Sequence, residues 1–69
     1  MNFNQLKEVA DGILADRNLS ERVTKISVDQ DFETNTNFYY VHSKAFIGFG
    51  ASINEATTML VSHIKNLPH

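Results

Sequence analysis

The sequence contains no cysteine, and this absence excludes several kinds of protein. Disulfide-stapled scaffolds, thiolate metal sites and cysteine nucleophiles all require a thiol. No apolar run approaches the roughly 18 residues that a membrane span needs, so no membrane partner is expected. The opening MNFNQLKEVADGILADR has acids and no basic segment before an apolar stretch, unlike a signal peptide. We therefore expect a cytoplasmic protein, in the host cytoplasm if its source is a virus.

Motifs for catalysis and for cofactor binding are also missing. The three histidines lack the i, i+4 spacing of a helical metal site, and no serine lies in a G-x-S-x-G motif. The segment Gly48-Phe49-Gly50 lacks the other residues of a dinucleotide- or phosphate-binding loop. We therefore expect no enzyme, and neither a metal, a cofactor nor a small-molecule substrate.

Positive charge is scarce, and the net charge is −2. Residues 1–33 have four cations against seven acids, whereas residues 34–69 carry a net charge of +1. Neither half is basic enough to indicate a surface that binds phosphates. Nucleic acid is therefore not the expected partner.

Three acids occur at every second position, namely Asp29, Asp31 and Glu33. In an extended strand these side chains would share one face. The glycine and the distal glutamate of a calcium-binding loop are missing. We interpret the row as a solvated strand end that is available to a basic protein partner.

The length and composition predict one small folded domain. The chain has 69 residues, of which 42% are apolar and 20% are charged, and we assign residues 1–69 to a single domain. A chain of this size buries only about 60% of the surface that its unfolded form exposes. Because small domains without disulfides often complete their core by oligomerising, a homodimer is expected.

The first predicted helix covers residues 3–17, where apolar side chains recur every three or four positions. Asn2 can cap its start, and Gln5 stands three residues later in the capping-box position. The helix is expected to end near Asn18, because asparagine tolerates the left-handed conformation that follows many helices.

The second predicted helix covers residues 53–66. Its start is marked by Ser52 and Glu55, which have the S-x-x-E spacing of a capping box. Pro68 prevents the helix from continuing. Its predicted core stripe consists of Ile53, Ala56, Leu60, Ile64 and Leu67.

Between the helices the sequence predicts strands. Residues 22–31 alternate polar and apolar side chains, residues 33–37 form a polar turn, and a second strand follows through residues 38–42. If residues 43–44 form a tight turn, residues 45–49 are a third strand; otherwise the second strand is one long arm. The predicted fold class is α+β, in the order α-β-β-(β)-α, with two helices on one face of an antiparallel sheet of two or three strands.

Six of the seven aromatic residues lie between positions 32 and 49. Strand residues alternate between faces, so both faces of the sheet would carry aromatic side chains. An exposed aromatic patch often marks an interface, although Tyr39 could instead lie along the sheet with only its hydroxyl in water. We predict that Tyr39, Val41 and Phe46 form this interface on the outer face, with Asp29, Asp31 and Glu33 at its acidic end.

The entry into the second helix resembles that of the double-stranded-RNA-binding domain. Gly48, Gly50, Ser52 and Ala56 match the family's G-x-G-x-S followed by alanine over about a dozen residues. The resemblance implies the same α-β-β-β-α order. The family's phosphate-binding lysines are replaced here by Ile53, Asn54 and Thr57, with Glu55 between them. The connection between strands two and three is also shorter than in the family.

The sequence therefore predicts a non-catalytic protein-interaction module, which self-associates or acts as a small inhibitor or regulator. Its aromatic residues have few basic neighbours, a pattern that favours a protein partner over a nucleic acid. The alternative is a degenerate nucleic-acid binder of the double-stranded-RNA-binding type.

Overall fold

The computed structural model describes residues 2–66 as a single α+β domain with one three-stranded antiparallel sheet. The predicted order is confirmed, and the sheet has three strands rather than two. The elements are α1 (Phe3–Asp16), β1 (Lys25–Asp31), β2 (Thr36–His42), β3 (Ile47–Gly50) and α2 (Ile53–Lys65).

The α1 helix begins with the predicted capping box. The Asn2 side chain accepts a hydrogen bond from the Gln5 backbone N–H at 3.0 Å, and the Gln5 side chain accepts one from the Asn2 N–H at 3.1 Å. Two of the N–H groups that a helix start leaves unpaired are thereby satisfied. Beyond the helix end, Asn18 has the left-handed φ of 60° that the sequence predicts.

A carboxylate on α1 holds the segment that leads into β1. Asp11 accepts a hydrogen bond from the Val23 N–H at 2.8 Å and also forms an ion pair with Lys7. Because the Val23 N–H is used in this way, Val23 does not join the sheet, and β1 begins at Lys25 instead of the predicted residue 22. The Val23 side chain is buried in the core.

The sheet order is β1-β2-β3, and the pairing of β1 with β2 places Ile26 opposite Val41. The turn between these strands spans residues 32–35, and Asn35 adopts a left-handed φ of 54°. As a result β2 begins at Thr36, two residues before the predicted position. The connection from β2 to β3 is closed by a 2.8 Å hydrogen bond from the Ser43 N–H to the Phe46 carbonyl.

The α2 helix begins where predicted, because the Ser52 hydroxyl accepts a hydrogen bond from the Glu55 N–H at 3.1 Å. The Thr57 hydroxyl is fully buried and donates to the Ile53 carbonyl at 2.7 Å. Leu67 and Pro68 lie outside the described residues. Within them, Ile53, Ala56 and Leu60 are buried as predicted, and Thr57 and Val61 extend the buried stripe. Ile64 is only partly buried against the core. The buried apolar core comprises Ala10, Leu14, Val23, Val41, Ile53, Ala56, Leu60 and Val61.

Two glycines of β3 let α2 lie directly against the sheet. A Cβ atom added to Gly48 would lie 2.2 Å from the Ala56 carbonyl oxygen, and one added to Gly50 would lie 2.8 Å from the Ala56 nitrogen. Neither glycine has a positive φ, so it is the space and not the backbone conformation that requires them. This contact sets the distance between the helix layer and the sheet.

We expect Gly48→Ala to destabilise the domain by about 3 kcal/mol or more, because the new methyl group meets helix backbone that cannot rotate away. Gly12→Ala is the matched control. Gly12 has nothing within 4 Å of the added Cβ. Since alanine favours helix, Gly12→Ala should raise the free energy of unfolding by about 0.5–1 kcal/mol. Urea unfolding measures both values. Equal stabilities of the two variants would contradict the close helix–strand contact.

We expect Asp11→Ala to lower the free energy of unfolding by about 1–3 kcal/mol, because the buried Val23 N–H loses its acceptor. Asp11→Asn is the control, since an amide oxygen can still accept the bond while the ion pair with Lys7 is lost. The loss should therefore be distinctly smaller for Asp11→Asn in the same urea titration. Equal losses would show that the carboxylate charge, rather than the hydrogen bond, is what stabilises the connection.

Candidate interaction surface

The side of the sheet that faces away from the helices carries a cluster of apolar and aromatic side chains. Along β2, Tyr39 and Val41 point toward the helices, so Phe38 and Tyr40 point away. On β3 the two glycines face α2, so Ile47 and Phe49 point outward. We name the cluster formed by Phe38, Tyr40, Ile47 and Phe49 the outer face.

The outer face is held by the pairing of β2 with β3. Tyr40 lies opposite Phe49 in the register, and their rings stack with centroids 6.3 Å apart and planes inclined by 30°. Ile47 and Phe49 are 50% and 47% exposed, although both are large and apolar. No element among residues 2–66 covers this side of the sheet, since α1 and α2 occupy the other.

The predicted interface residues occupy the opposite side. Val41 is fully buried, and Tyr39 and Phe46 are half-buried against the core. Their predicted placement on an exposed outer face is therefore wrong. The alternation of faces is correctly inferred, but the choice of the covered face is inverted. Gly48 and Gly50 hold the missing signal, because small residues at alternate positions mark the face on which a helix packs closely.

The predicted acidic end is partly assembled. Asp29 and Asp31 are exposed on β1, opposite Phe38 and Thr36, and so share the side of the outer face. Glu33 does not continue this row, because β1 ends at Asp31 and the chain turns there. Asp31 accepts a hydrogen bond from the Glu33 N–H at 3.0 Å, which stabilises the turn. That these acids meet a basic partner stays a prediction.

A histidine on α2 closes the free edge of β3. The backbone hydrogen bond between Ser43 and Phe46 sets the alternation of the ladder, so that the Ile47 carbonyl points away from β2. His63 Nδ1 donates to this carbonyl oxygen at 2.8 Å. One of the few free acceptors on the short edge strand is thereby satisfied.

A concave surface lies between the helices, on the other side of the sheet from the outer face, and the sequence did not indicate it. The cavity measures about 400 Å³ at the start of α2. Its polar groups are already engaged in part, since the Ser52 hydroxyl caps α2. The walls are formed by Leu6, Val9, Tyr39, Ala51, Ser52, Ile53 and Asn54.

Residues 2–66 contain no cluster of three or more histidine and acidic side chains that could hold a metal ion. In the same part of the chain every buried side-chain polar atom has a hydrogen-bond partner. None of the described helices has the length and apolarity required to cross a membrane. Within residues 2–66, the exposed apolar surface is therefore the feature that remains to be explained.

No protein-family model matches the chain, and neither a curated protein nor a solved structure is significantly similar to it. The resemblance to the double-stranded-RNA-binding domain stays a prediction. Of the positions that correspond to that family's phosphate-binding lysines, Ile53 and Thr57 are buried. Only Asn54 is exposed there, beside the carboxylate of Glu55.

The assignment of the two faces predicts unequal costs of truncation. Val41→Ala should lower the free energy of unfolding by about 2 kcal/mol, because it leaves a cavity in a fully packed site. Ile47→Ala removes a larger side chain but should cost under about 1 kcal/mol, since half of Ile47 is already in water. Urea unfolding compares the two. A greater loss for Ile47→Ala would contradict the assignment.

Proposed function

We propose that the protein is a non-catalytic protein-interaction module that binds its partner through the outer face. The observation that carries this proposal is the half-exposed, stacked apolar cluster on a side where an antiparallel sheet is normally polar. Burying the exposed halves of Ile47 and Phe49 would each contribute roughly 1 kcal/mol to binding.

The charges around the outer face favour a protein over a nucleic acid. The register of the sheet places one lysine, Lys25, and two aspartates, Asp29 and Asp31, on this side. A surface that tracks a phosphate backbone interleaves its aromatic side chains with several cations. With acids outnumbering lysines here, phosphates would be repelled from much of the surface.

A binder of this size works by occupying part of its partner's surface, as small inhibitors and regulators do. The absence of thiols is compatible with a role in the reducing cytoplasm. The free energy available is limited, because the exposed apolar residues of the outer face number only a few. We therefore assign the module to transient rather than permanent complexes.

The test replaces Phe49 by aspartate and uses Phe32→Asp as the matched control. Phe32 is 82% exposed in the turn between β1 and β2, so the same chemical change occurs away from the stacked cluster. Tagged wild-type protein and both variants are used to capture partners from native lysate, with identification by mass spectrometry.

A partner bound by the wild type and by Phe32→Asp should be lost with Phe49→Asp, because a buried carboxylate without a counterion opposes docking. Circular dichroism confirms that both variants fold. If folded Phe49→Asp retains every partner of the wild type, the outer face is not the binding surface and the proposal is wrong.

A further inference from the structure

The outer side of the sheet is organised in rows that run across the strands. In an antiparallel sheet, residues paired in the register lie side by side on the same face. Two pairings define each complete row here, one between β1 and β2 and one between β2 and β3. The first row is Lys25, His42 and Ile47, the middle row is Ser27, Tyr40 and Phe49, and the third row is Asp29 and Phe38. Asp31 and Thr36 form a fourth, peripheral row beside the turn.

This order makes the surface complementary to itself. A two-fold axis that lies along the middle row exchanges the first row with the third. Lys25 of each copy then faces Asp29 of the other, so that one operation forms two opposite-charge pairs. An isologous interface requires such a pattern, because each contact occurs twice.

We infer that the occupant of the outer face is a second copy of this chain, docked face to face about that axis. The inference rests on the proposed function, since it names the partner of the same surface. Aligned sheet-on-sheet packing, with strands inclined by about 30° and sheets about 10 Å apart, is a common way to cover such a face. The flexible stem of Lys25 can adjust to this inclination.

The centre of this arrangement is apolar and its rim is charged. Tyr40 and Phe49 lie on the axis, so the stacked pair of one copy meets the stacked pair of the other. Lys25 and Asp29 lie one row away on the edge strand β1, where both are exposed. Aromatic anchors surrounded by polar groups that exclude water are typical of the energetic centre of an interface.

The other simple two-fold arrangement is less favourable. An axis parallel to the strands through β2 would place β1 over β3 of the other copy. Lys25 would then meet Ile47, and Asp29 would meet no oppositely charged side chain. Burying these charges without partners costs free energy, so the axis across the strands is preferred.

The dimensions of the face indicate a weak dimer. Three strands about 4.8 Å apart, with about seven residues of 3.3 Å in the longest, give a footprint of roughly 300 Å² per copy. A stable interface commonly buries about 800 Å² per partner. We therefore expect association in the micromolar range or weaker, with a dimer fraction that rises with protein concentration.

The experiment reverses each charge in a separate variant and then mixes the two variants. Lys25→Glu and Asp29→Lys each place two like-charge pairs in the homodimer, which should weaken association about tenfold or more at low salt. An equimolar mixture of the two variants should regain it, because Glu at position 25 then faces Lys at position 29, and the native lysine faces the native aspartate. Sedimentation velocity over a concentration series measures the dissociation constants.

Two charge reversals on α1 and α2 serve as controls. Lys65→Glu and Asp16→Lys change the net charge by the same amounts at exposed positions outside the sheet. Both should associate as the wild type does. The difference between the test variants and the wild type should shrink at 0.5 M salt, where exposed charge pairs are screened.

A wild-type protein that stays monomeric at millimolar concentration would overturn the inference. So would a mixture of the two variants that associates no better than either one alone. If Phe49→Asp nevertheless loses a captured partner, only the identity of the occupant is wrong. If Phe49→Asp also keeps every partner, the proposed function fails together with the inference.

Discussion

The direct contact between the backbone of α2 and the two glycines of β3 is the constraint on which the rest of the structure depends. Because Gly48 and Gly50 have no side chains, the Ala56 turn of the helix lies against the strand itself. Strand residues alternate, so Ile47 and Phe49 must face the other way. The same four residues, Ile47–Gly50, therefore determine both how closely the helix packs and what the sheet presents to its surroundings.

The sequence was sufficient to predict both helices and the first two strands, whereas it left open whether a third strand exists, because residues 43–44 are not a characteristic turn sequence. The capping side chains of Asn2 and Ser52 mark the two helix starts, and the left-handed Asn18 marks a helix end. The bounds of the strands were less predictable. β1 begins late because the Val23 N–H bonds to Asp11, a contact between residues 12 positions apart that no local pattern reveals.

Alternation along a strand does not by itself identify the exposed surface. It places Tyr39 and Val41 on one face and Phe38 and Tyr40 on the other, but it does not say which face the helices cover. When apolar residues occupy both faces, the deciding term is steric, namely the room that each face leaves for a helix. The glycines of β3 show which face has room for the helix. Because Tyr39 pairs with Gly50 and Val41 pairs with Gly48, these two residues of β2 lie on the covered face. The predicted row of three acids includes only Asp29 and Asp31, because β1 ends at Asp31 and the chain turns before Glu33.

The hydrogen bond from His63 to the Ile47 carbonyl hinders the addition of a strand from another molecule at the free edge of β3. An unprotected edge strand invites further strands to add side by side, and repeated addition has no natural end. Here the outer edge is only four residues long and one of its outward-pointing acceptors is occupied by α2. At the opposite edge β1 carries Lys25, Asp29 and Asp31, and each of these charges would repel its own copy if identical strands stacked in register. These features discourage open-ended fibres and leave one side of the sheet accessible.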